Sequence, residues 1–381
     1  MTTEEIKDPY EVIIDTMKKE YPNGIPMSGG KVSEAFREFI HLLFTPEEAE
    51  IAQYLGTQGQ NTLKIAKKIG KTRKETKEIL DDLTYKGLLH DIGGYSHYMA
   101  IAHLFNMGFK YWKAAERVGG IRAAELFQQF FIEDKFYHRY TSSDEGTSIV
   151  RVVPVNKAIH YESKVLEAEE MHGIIDTCQT PIMATDCPCR KRTETLGIRE
   201  EKCKQTFPIE ETCFQVGVFG GYFKRRGEGR ELTREEAHTK VNEIAKRGLV
   251  FNTSNVLNPM FHQVICSCCN CCCSVLRQVT RFEEKNQDCI DKANYVSKVD
   301  TVLCKGCGLC AKRCPFTAIT IENEKASVET QKCFGCGVCA ITCPNEAIKL
   351  HRLERSRIFE NSIEMMKTIR EENKNNPSYP R

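Results

Sequence analysis

Long apolar runs and a leader-like N-terminus are both missing from this 381-residue sequence. A helix that crosses a bilayer needs roughly twenty consecutive apolar residues, and no segment approaches that length. A secretory signal combines a basic start with an apolar stretch, and residues 1–20 show no such combination. The sequence therefore predicts a cytoplasmic protein without a membrane span.

Charge of one sign is also scarce, because 54 basic residues nearly balance 52 acidic ones and leave a formal net charge of +2. This balance predicts neither the strong positive field of a polyanion-binding protein nor a strongly acidic surface. The phosphate-binding sequence G-x4-G-K-S/T does not occur, and the glycines between 219 and 230 do not follow a predicted strand in the G-x-G-x-x-G spacing. These absences argue against a triphosphate, nicotinamide or flavin site.

Cysteine, in contrast, is abundant, since the chain has twenty. In a protein without a secretory signal, clustered cysteines at short spacings indicate thiolates that hold metal, rather than disulfides. Eight of them fall in two copies of the spacing C-x2-C-x2-C-x3-C-P, which begin at Cys304 and Cys333. The stretches 304–321 and 333–350 are identical at ten of eighteen positions. Such an internal repeat makes a chance occurrence of the spacing an inadequate explanation.

The repeated spacing is that of proteins with two [4Fe–4S] clusters, in which the fourth cysteine of each copy ligates the other copy's cluster. It predicts two crossed ligand sets, Cys304, Cys307, Cys310 and Cys343 for cluster 1 and Cys333, Cys336, Cys339 and Cys314 for cluster 2. Zinc sites and disulfides are less favoured, because zinc ligand pairs rarely carry a third cysteine and a proline in this phase. Residues 296–352 resemble the two-cluster bacterial ferredoxin domain, and the resemblance implies electron transfer.

A first central group of cysteines comprises Cys187, Cys189, Cys203 and Cys213. Four thiolates satisfy either a [4Fe–4S] cluster or tetrahedral zinc, and the number of ligands does not separate the two. We favour a third iron–sulfur cluster, since it would extend the series of redox centres. The basic residues 190–192 follow directly, either as donors to that cluster or as a solvated turn.

A second central group has six cysteines within eight positions, namely Cys266, Cys268, Cys269, Cys271, Cys272 and Cys273. Neighbouring side chains point to opposite faces of a strand and diverge by about 100° in a helix, so one site cannot collect all six. Either two sites share the segment or some of these thiols bind no metal. We expect a further cluster or a thiol site at Cys266, Cys268, Cys271 and Cys272, with structural thiols in a tight turn as the alternative. Cys178 and Cys289 stand apart and are expected to be buried as small apolar residues.

Residues 46–100 show the order helix, helix, helix and β-hairpin. A capped helix begins after Thr45, a second ends at Gly70, a third ends at Gly87, and a ribbon with a Gly-Gly turn follows. This segment resembles the winged-helix family of bacterial regulators. The resemblance implies DNA contacts from the third helix.

The charges of this winged-helix-like segment give DNA binding little support. The third helix carries Arg73, Lys74 and Lys77 but also four acids, and the hairpin 88–98 has no lysine or arginine. Nonspecific affinity for DNA depends on such basic residues. We therefore favour a docking or packing module over a DNA reader.

The predicted fold class is α+β, with several domains. In order, these are a helical region (1–145) that contains the winged-helix-like module (46–100), a cysteine-rich iron–sulfur domain (146–295), the ferredoxin domain (296–352), and a C-terminal helix with a polar tail (353–381). Aromatic residues at helical spacing between 101 and 145 predict a buried helix face.

Residues 180–350 as a whole resemble multicluster iron–sulfur proteins of anaerobes, described as 4Fe–4S dicluster-domain proteins. The resemblance implies the relay of single electrons through two or more [4Fe–4S] clusters, and it assigns no catalytic residue. Because no flavin or nicotinamide motif is present, we expect donor and acceptor proteins, in particular a partner oxidoreductase complex. Two alternatives stay open: a substrate-reducing enzyme with its site at 266–273, and a redox-sensing winged-helix transcription regulator.

Overall fold

The structure is a computed structural model that describes residues 8–21, 23–99, 120–160 and 167–374. Helices and strands both contribute substantially, which agrees with the α+β class. Within those ranges no helix has both the length and the apolar character needed to cross a membrane.

The described helices are mostly short. They are α1 (Pro9–Glu20), α2 (Glu34–Leu43), α3 (Pro46–Ala52), α4 (Thr62–Ile69), α5 (Arg73–Lys86), α6 (Ile121–Gln128), α7 (Tyr137–Tyr140), α8 (Met171–Thr177), α9 (Pro188–Thr195), α10 (Glu201–Thr206), α11 (Gly217–Arg225), α12 (Arg234–Arg247), α13 (Leu276–Thr280), α14 (Leu309–Arg313), α15 (Val338–Thr342) and α16 (Ser362–Asn373).

The described strands pair in antiparallel fashion throughout. They are β1 (Met27–Ser28), β2 (Lys31–Val32), β3 (Gln60–Asn61), β4 (His90–Ile92), β5 (Ser96–Tyr98), β6 (Val150–Val152), β7 (Ile182–Thr185), β8 (Cys213–Val216), β9 (Arg230–Leu232), β10 (Val250–Ser254), β11 (Val264–Cys268), β12 (Tyr295–Val299), β13 (Ile319–Glu322), β14 (Lys325–Val328) and β15 (Ile348–Arg352).

The described residues divide between two compact units. The first takes its residues from Met1–Tyr140, Pro188–Ile198 and Arg370–Arg381, and the second from Thr141–Cys187 and Arg199–Ile369. The boundary falls between Cys187 and Pro188, so the sequence Cys-Pro-Cys is shared by the two units.

Helix capping explains the helices of the first unit between 46 and 86. The side chains of Thr45 and Thr72 each accept a hydrogen bond from the backbone amide of a glutamate three residues later. The side chain of that glutamate in turn accepts a hydrogen bond from the backbone amide of the threonine. Gly70 and Gly87 end α4 and α5 in the left-handed conformation, which costs glycine little. The strands β4 and β5 form the expected hairpin, and β3 adds to β5.

Aromatic side chains pack α6 and the π-helical turn that follows it against α2. Phe130 lies edge-on to Phe36 and Phe39, with ring centroids 5.8 and 5.5 Å apart. The buried aromatic face expected in 101–145 is therefore present in its second half. Its first half, with Phe105, Phe109, Tyr111 and Trp112, lies outside the described residues, as does the tail after residue 374.

A six-stranded sheet with the order β6-β10-β11-β8-β7-β9 organises the second unit. The strand β11 carries the start of the dense cysteine segment and lies inside the sheet, between β10 and β8. Its register places Cys266 opposite Cys213 on β8 and opposite Asn252 on β10. A cysteine from elsewhere in the chain is thus brought to this segment by strand pairing.

Candidate metal centres

The repeat that begins at Cys304 and Cys333 folds into α14, α15 and two strand pairs, β12 with β15 and β13 with β14. Cys304, Cys307 and Cys310 of the first copy line a cavity of about 330 Å³ together with Cys343 of the second copy. This is the first cavity.

A second cavity of about 290 Å³ shows the reciprocal arrangement. Cys333, Cys336 and Cys339 of the second copy line it together with Cys314 of the first. The two cavities thus exchange their fourth cysteine, and the exchange ties the two copies of the repeat into one unit.

Hydrogen-bond donors point at sulfur atoms in both cavities. The backbone amide of Ala326 donates to Cys304 Sγ at 3.4 Å, and that of Ala318 donates to Cys314 Sγ at 3.3 Å. Such a bond favours the ionised sulfur over the thiol, and the bond from Ala326 is the main reason that the pKa of Cys304 lies below its ordinary value.

Burial opposes ionisation in the second cavity. Desolvation raises the pKa of Cys339 to about 12 and that of Cys336 well above its ordinary value. A thiolate in this place needs a bound cation to compensate its charge. Four cysteines around a cavity, with amides aimed at the sulfurs, fit a [4Fe–4S] cluster in each cavity.

Two glycines allow the chain to turn between the ligands. Gly306 and Gly335 have φ values of +64° and +69° and occupy equivalent places in the two copies. A β-carbon at either position would lie closer than 3.0 Å to a backbone oxygen, of Glu324 in one case and of Tyr295 in the other. Both positions therefore require glycine, first because of the left-handed φ and second because a β-carbon would collide with the backbone.

In the central domain, four thiols meet in what we call the compact quartet, Cys203, Cys269, Cys271 and Cys272. All four Sγ atoms lie within 4.8 Å of one another. Cys203 Sγ is 3.5 Å from Cys272 Sγ, which is 3.8 Å from Cys271 Sγ. Cys203 comes from α10, whereas the other three come from the turn after β11.

A second set, which we call the open quartet, comprises Cys213, Cys266, Cys268 and Cys273. Cys213 Sγ lies 4.0 Å from Cys266 Sγ, and Cys273 Sγ lies 3.2 Å from Cys268 Sγ. Hydrogen bonds with Cys266 and Cys273, followed by burial, raise the pKa of Cys268 well above its ordinary value. The six cysteines of the dense segment thus contribute three thiols to each quartet.

Two buried amide side chains donate to sulfurs of the open quartet. Asn252 Nδ2 donates to Cys268 Sγ at 3.1 Å, and Gln215 Nε2 donates to Cys213 Sγ at 3.3 Å. Both donors lie on strands that flank β11. Donors of this kind stabilise thiolates and tune a metal that they bind.

The central ligand sets that we expected from chain order differ from these quartets. Cys203 and Cys213, expected to share a site with Cys187 and Cys189, lie in different quartets, and within the described ranges no three of these four have sulfurs within 4.8 Å of one another. The second expected set is also divided, because Cys266 and Cys268 lie in one quartet and Cys271 and Cys272 in the other. The thiols of the dense segment thus lie in two groups, and both alternatives for the segment, two metal sites or some thiols that bind no metal, stay predictions.

Sequence reasoning missed Cys269 and Cys273 as members of these quartets, although alternation along β11 does place Cys266 and Cys268 on one face. Cys187 belongs to the second unit, where its backbone amide donates to Ile209, and Cys189 belongs to α9 in the first unit. Cys178 and Cys289 are buried among apolar side chains, as predicted.

Comparison with known proteins places the ferredoxin-type repeat within a described family. Residues 297–344 match the family described as 4Fe-4S dicluster domain. A stretch of 39 residues is 49% identical to the pyruvate synthase subunit PorD of Methanothermobacter marburgensis, and it covers 10% of this chain and 44% of that relative. No solved structure matches the chain. Together with the two cavities, these matches show that the chain binds [4Fe–4S] clusters and has an iron–sulfur electron-transfer domain.

Proposed function

We propose that this protein relays single electrons between a redox carrier and a partner oxidoreductase. The observation that carries the proposal is the pair of cavities that exchange their fourth cysteine. The first cavity would hold cluster 1 through Cys304, Cys307, Cys310 and Cys343, and the second would hold cluster 2 through Cys333, Cys336, Cys339 and Cys314. A bound [4Fe–4S] cluster supplies a reversible one-electron store, whose potential depends on its ligands, hydrogen bonds and burial.

The first cavity is more accessible at one ligand, since Cys307 is exposed whereas none of the four cysteines of the second cavity is. Exposed apolar side chains lie beside it, and we call them the carrier patch: Val302, Leu303, Leu309 and Ile321. Leu309 and Ile321 also line the first cavity. We assign this patch to the docking of the redox carrier, because a carrier seated there would lie next to cluster 1.

The open quartet is the best place for a third cluster. The assignment rests on Asn252 and Gln215, which supply two donors to its sulfurs. Two of its sulfur pairs are as close as those of the compact quartet, at 3.2 and 4.0 Å, and a bound cube would have to separate them. This assignment replaces the ligand set that chain order suggested.

A partner oxidoreductase complex is supported by the relative, which is itself a pyruvate synthase subunit. The winged-helix-like module 46–100 is proposed to bind a protein in this assembly. A shallow groove beside α3 and α5 is lined by five acids, one lysine and three apolar residues, and the acids are Glu47, Glu48, Glu75, Glu78 and Asp82. An acidic lining disfavours DNA and suits a basic protein surface.

We place the relay in the cytoplasm of an anaerobe. All twenty cysteines lie in the described ranges, and none forms a disulfide. This state is typical of a reducing compartment.

The crossed ligand sets are tested with single cysteine variants of the full chain, purified without oxygen. If the sets cross, Cys343→Ser should alter the same EPR signal of dithionite-reduced protein as Cys307→Ser does. Cys314→Ser should in turn reproduce the spectrum of Cys336→Ser. Cys178→Ser is the matched control, since that residue lies outside both cavities.

The relay itself is tested by mixing the protein with a reduced bacterial ferredoxin and following cluster absorbance. Rapid bleaching of the visible absorbance is expected, followed by its return when an oxidised acceptor protein is added. A preparation that contains clusters but exchanges electrons with no carrier would overturn the proposed function. A preparation without iron and sulfide would overturn it at an earlier step.

A further inference from the structure

The compact quartet differs from the two ferredoxin-type cavities in size. Within the described part of the chain, it is the one group of three or more metal-binding side chains whose ligand atoms all lie within 4.8 Å of one another. The cysteines around the first and second cavities are therefore spaced more widely. Each of those sets surrounds a cavity, of about 330 and 290 Å³.

This difference in spacing separates a single ion from a cluster. In a [4Fe–4S] cluster each thiolate binds a different iron, so the cube keeps the thiolates apart. Around one zinc ion, bonds of about 2.3 Å place the sulfurs of a tetrahedron about 3.8 Å apart. The Sγ separations of 3.5 Å for Cys203 and Cys272 and 3.8 Å for Cys271 and Cys272 match the single ion.

The surroundings of the compact quartet are those of a closed site. Cys203, Cys269 and Cys272 are only 2%, 3% and 1% exposed, and Cys271 is partly buried. Their neighbours are mainly the apolar side chains of one core, which includes Phe214, Ile244 and Leu249. A tetrahedral site with four protein ligands leaves no open position for substrate, which is typical of structural zinc.

The chain connection also suits a structural role. Cys203 lies on α10, which begins only a few residues after the first unit's segment Pro188–Ile198 ends. The other three ligands lie in the turn that leaves the central strand β11. One ion bound by all four would fix α10 to the sheet at a place where the turn makes few regular backbone hydrogen bonds of its own.

We propose that Cys203, Cys269, Cys271 and Cys272 bind one zinc ion in a closed, structural tetrathiolate site. The site contributes to the stability of the central domain and carries no electrons. It does not depend on the proposed relay, because zinc has a single accessible oxidation state.

The test uses the full chain, expressed with ample iron and purified without oxygen. Zinc and iron are counted together by mass spectrometry, and the zinc K-edge EXAFS of the wild type is recorded. We expect about one zinc per chain, with four sulfur neighbours at about 2.3 Å and no iron neighbour. Apoprotein offered zinc, iron and sulfide together should take up the same single zinc.

The adjacent residues Cys268 and Cys269 provide a matched pair of variants. Cys269→Ser should lower the zinc content at least fivefold and leave iron unchanged, whereas Cys268→Ser should retain the zinc. Cys178→Ser, which removes a buried cysteine outside both quartets, should change neither metal. The EXAFS of the wild type keeps the proposal testable even if Cys269→Ser does not fold.

Three results would overturn the zinc site. The first is a wild type with no zinc, in which Cys269→Ser loses four irons. The second is one iron in a tetrahedral sulfur environment in place of zinc. The third is zinc that persists in Cys269→Ser, which would mark it as adventitious. The proposed relay would be overturned by different measurements, namely the absence of iron and sulfide or of electron exchange with a carrier. Either proposal can therefore fail while the other holds.

Discussion

Gly306 and Gly308 lie two residues apart in the first copy of the repeat, with similar φ values of +64° and +74°. A β-carbon at Gly306 would collide with the backbone of Glu324, whereas one at Gly308 would approach nothing closer than Ile321 Cγ1 at 3.9 Å. A side chain at either position thus costs the energy of a left-handed conformation, but only one at Gly306 also collides with neighbouring backbone. This pair separates the two reasons for glycine in a cluster-binding loop.

We expect Gly308→Ala to destabilise the protein by about 1 kcal/mol, the usual cost of a left-handed residue with a β-carbon. Gly306→Ala must also displace the turn at Glu324 that precedes β14 and should lose most of the iron of cluster 1. Iron content and the midpoint of anaerobic thermal unfolding measure both effects. Equal behaviour of the two variants would show that the collision with Glu324 is relieved at little cost.

Ser297 tests how single hydrogen bonds tune cluster 2. Its Oγ lies 3.1 Å from Cys339 Sγ in the lining of the second cavity. A donor to sulfur stabilises the more negative, reduced state. Ser297→Ala should therefore lower the reduction potential of cluster 2, and a difference of about 1 kcal/mol between the two states corresponds to about 40 mV for one electron.

The potential is measured by an EPR-monitored redox titration. Ser327→Ala on β14 is the matched control, because Ser327 does not line the second cavity. An unchanged potential in Ser297→Ala, with iron content intact, would mean that this hydroxyl does not donate to the ligand sulfur.

Asp291 gives the central domain a predictable dependence on pH. Burial raises the pKa of Asp291 to about 7, above the value of about 3.9 for an unfolded chain. The stability that this group contributes is therefore fully present below about pH 4 and is lost as the pH rises through 7. Asp291→Asn should be more stable than the wild type at pH 8, by at most about 4 kcal/mol.

That advantage should shrink as the pH falls toward 5, and thermal unfolding across this range measures it. Asn255 Nδ2 donates to Asp291 Oδ2, and an amide oxygen at residue 291 accepts the same bond. Asp288→Asn, a change at an exposed acid nearby, should have the smaller effect. A difference between Asp291→Asn and the wild type that does not vary with pH would refute the raised pKa.

Arg190 and Arg192 show that a local residue pattern does not determine whether a charged side chain is buried. One alternative for residues 190–192 was a solvated turn, yet Arg190 is 0% and Arg192 is 2% exposed. The guanidinium of Arg192 stacks on the ring of Phe127 at 3.9 Å from its centroid. The solvated turn is wrong for these two residues. The burial of Arg192 depends on an aromatic partner more than sixty positions away.

At the scale of elements, β11 shows which ligand cysteines the local sequence pattern predicts and which it does not. Alternation along a strand indicates that Cys266 and Cys268 share a face, and the crowding of six cysteines indicates either two sites or thiols that bind no metal. The pattern does not indicate that Cys213 arrives by strand pairing and Cys203 from α10. The position of Cys213 is set by the strand order of the sheet and that of Cys203 by the packing of α10, and no spacing in the sequence encodes either.

The helix α5 allows a prediction about nucleic acid. Two of its basic residues are already engaged, since Lys77 pairs with Asp81 and Lys86 pairs with Asp82, both at 2.6 Å. The groove beside α5 is lined mainly by acids. We expect no gel shift of duplex DNA at low salt, where phosphate contacts are strongest, with either oxidised or reduced protein. A shift that depends on the redox state would instead favour the regulator.

At the scale of the whole molecule, sequence spacing and known families explain one part far better than the rest. The crossed cysteines of the repeat belong to one short stretch, so the spacing alone implies their geometry, and the family match covers the same residues, 297–344. The central quartets and the acidic groove lie outside that match. They arise from contacts between segments that are distant in the chain, and only the folded structure shows them.

The carrier patch is the feature through which the whole protein would meet its donor. Val302 is 81% exposed beside Cys304 and does not line the first cavity, so its replacement should spare the cluster. A glutamate there would lose water against an apolar carrier surface without gaining an ion pair, and about 1.4 kcal/mol of lost binding free energy corresponds to a tenfold effect. Val302→Glu should therefore slow reduction by a bacterial ferredoxin about tenfold, with iron content and the rate of reduction by dithionite unchanged.

Ile363→Glu is the matched control, because Ile363 is 72% exposed on α16 and lies outside the patch. Stopped-flow absorbance compares both variants with the wild type. Dithionite reaches the cluster without docking, so a variant that is slow with ferredoxin alone has lost a contact rather than a redox centre. Equal rates for Val302→Glu and Ile363→Glu with ferredoxin would place the entry of electrons on another face of the protein.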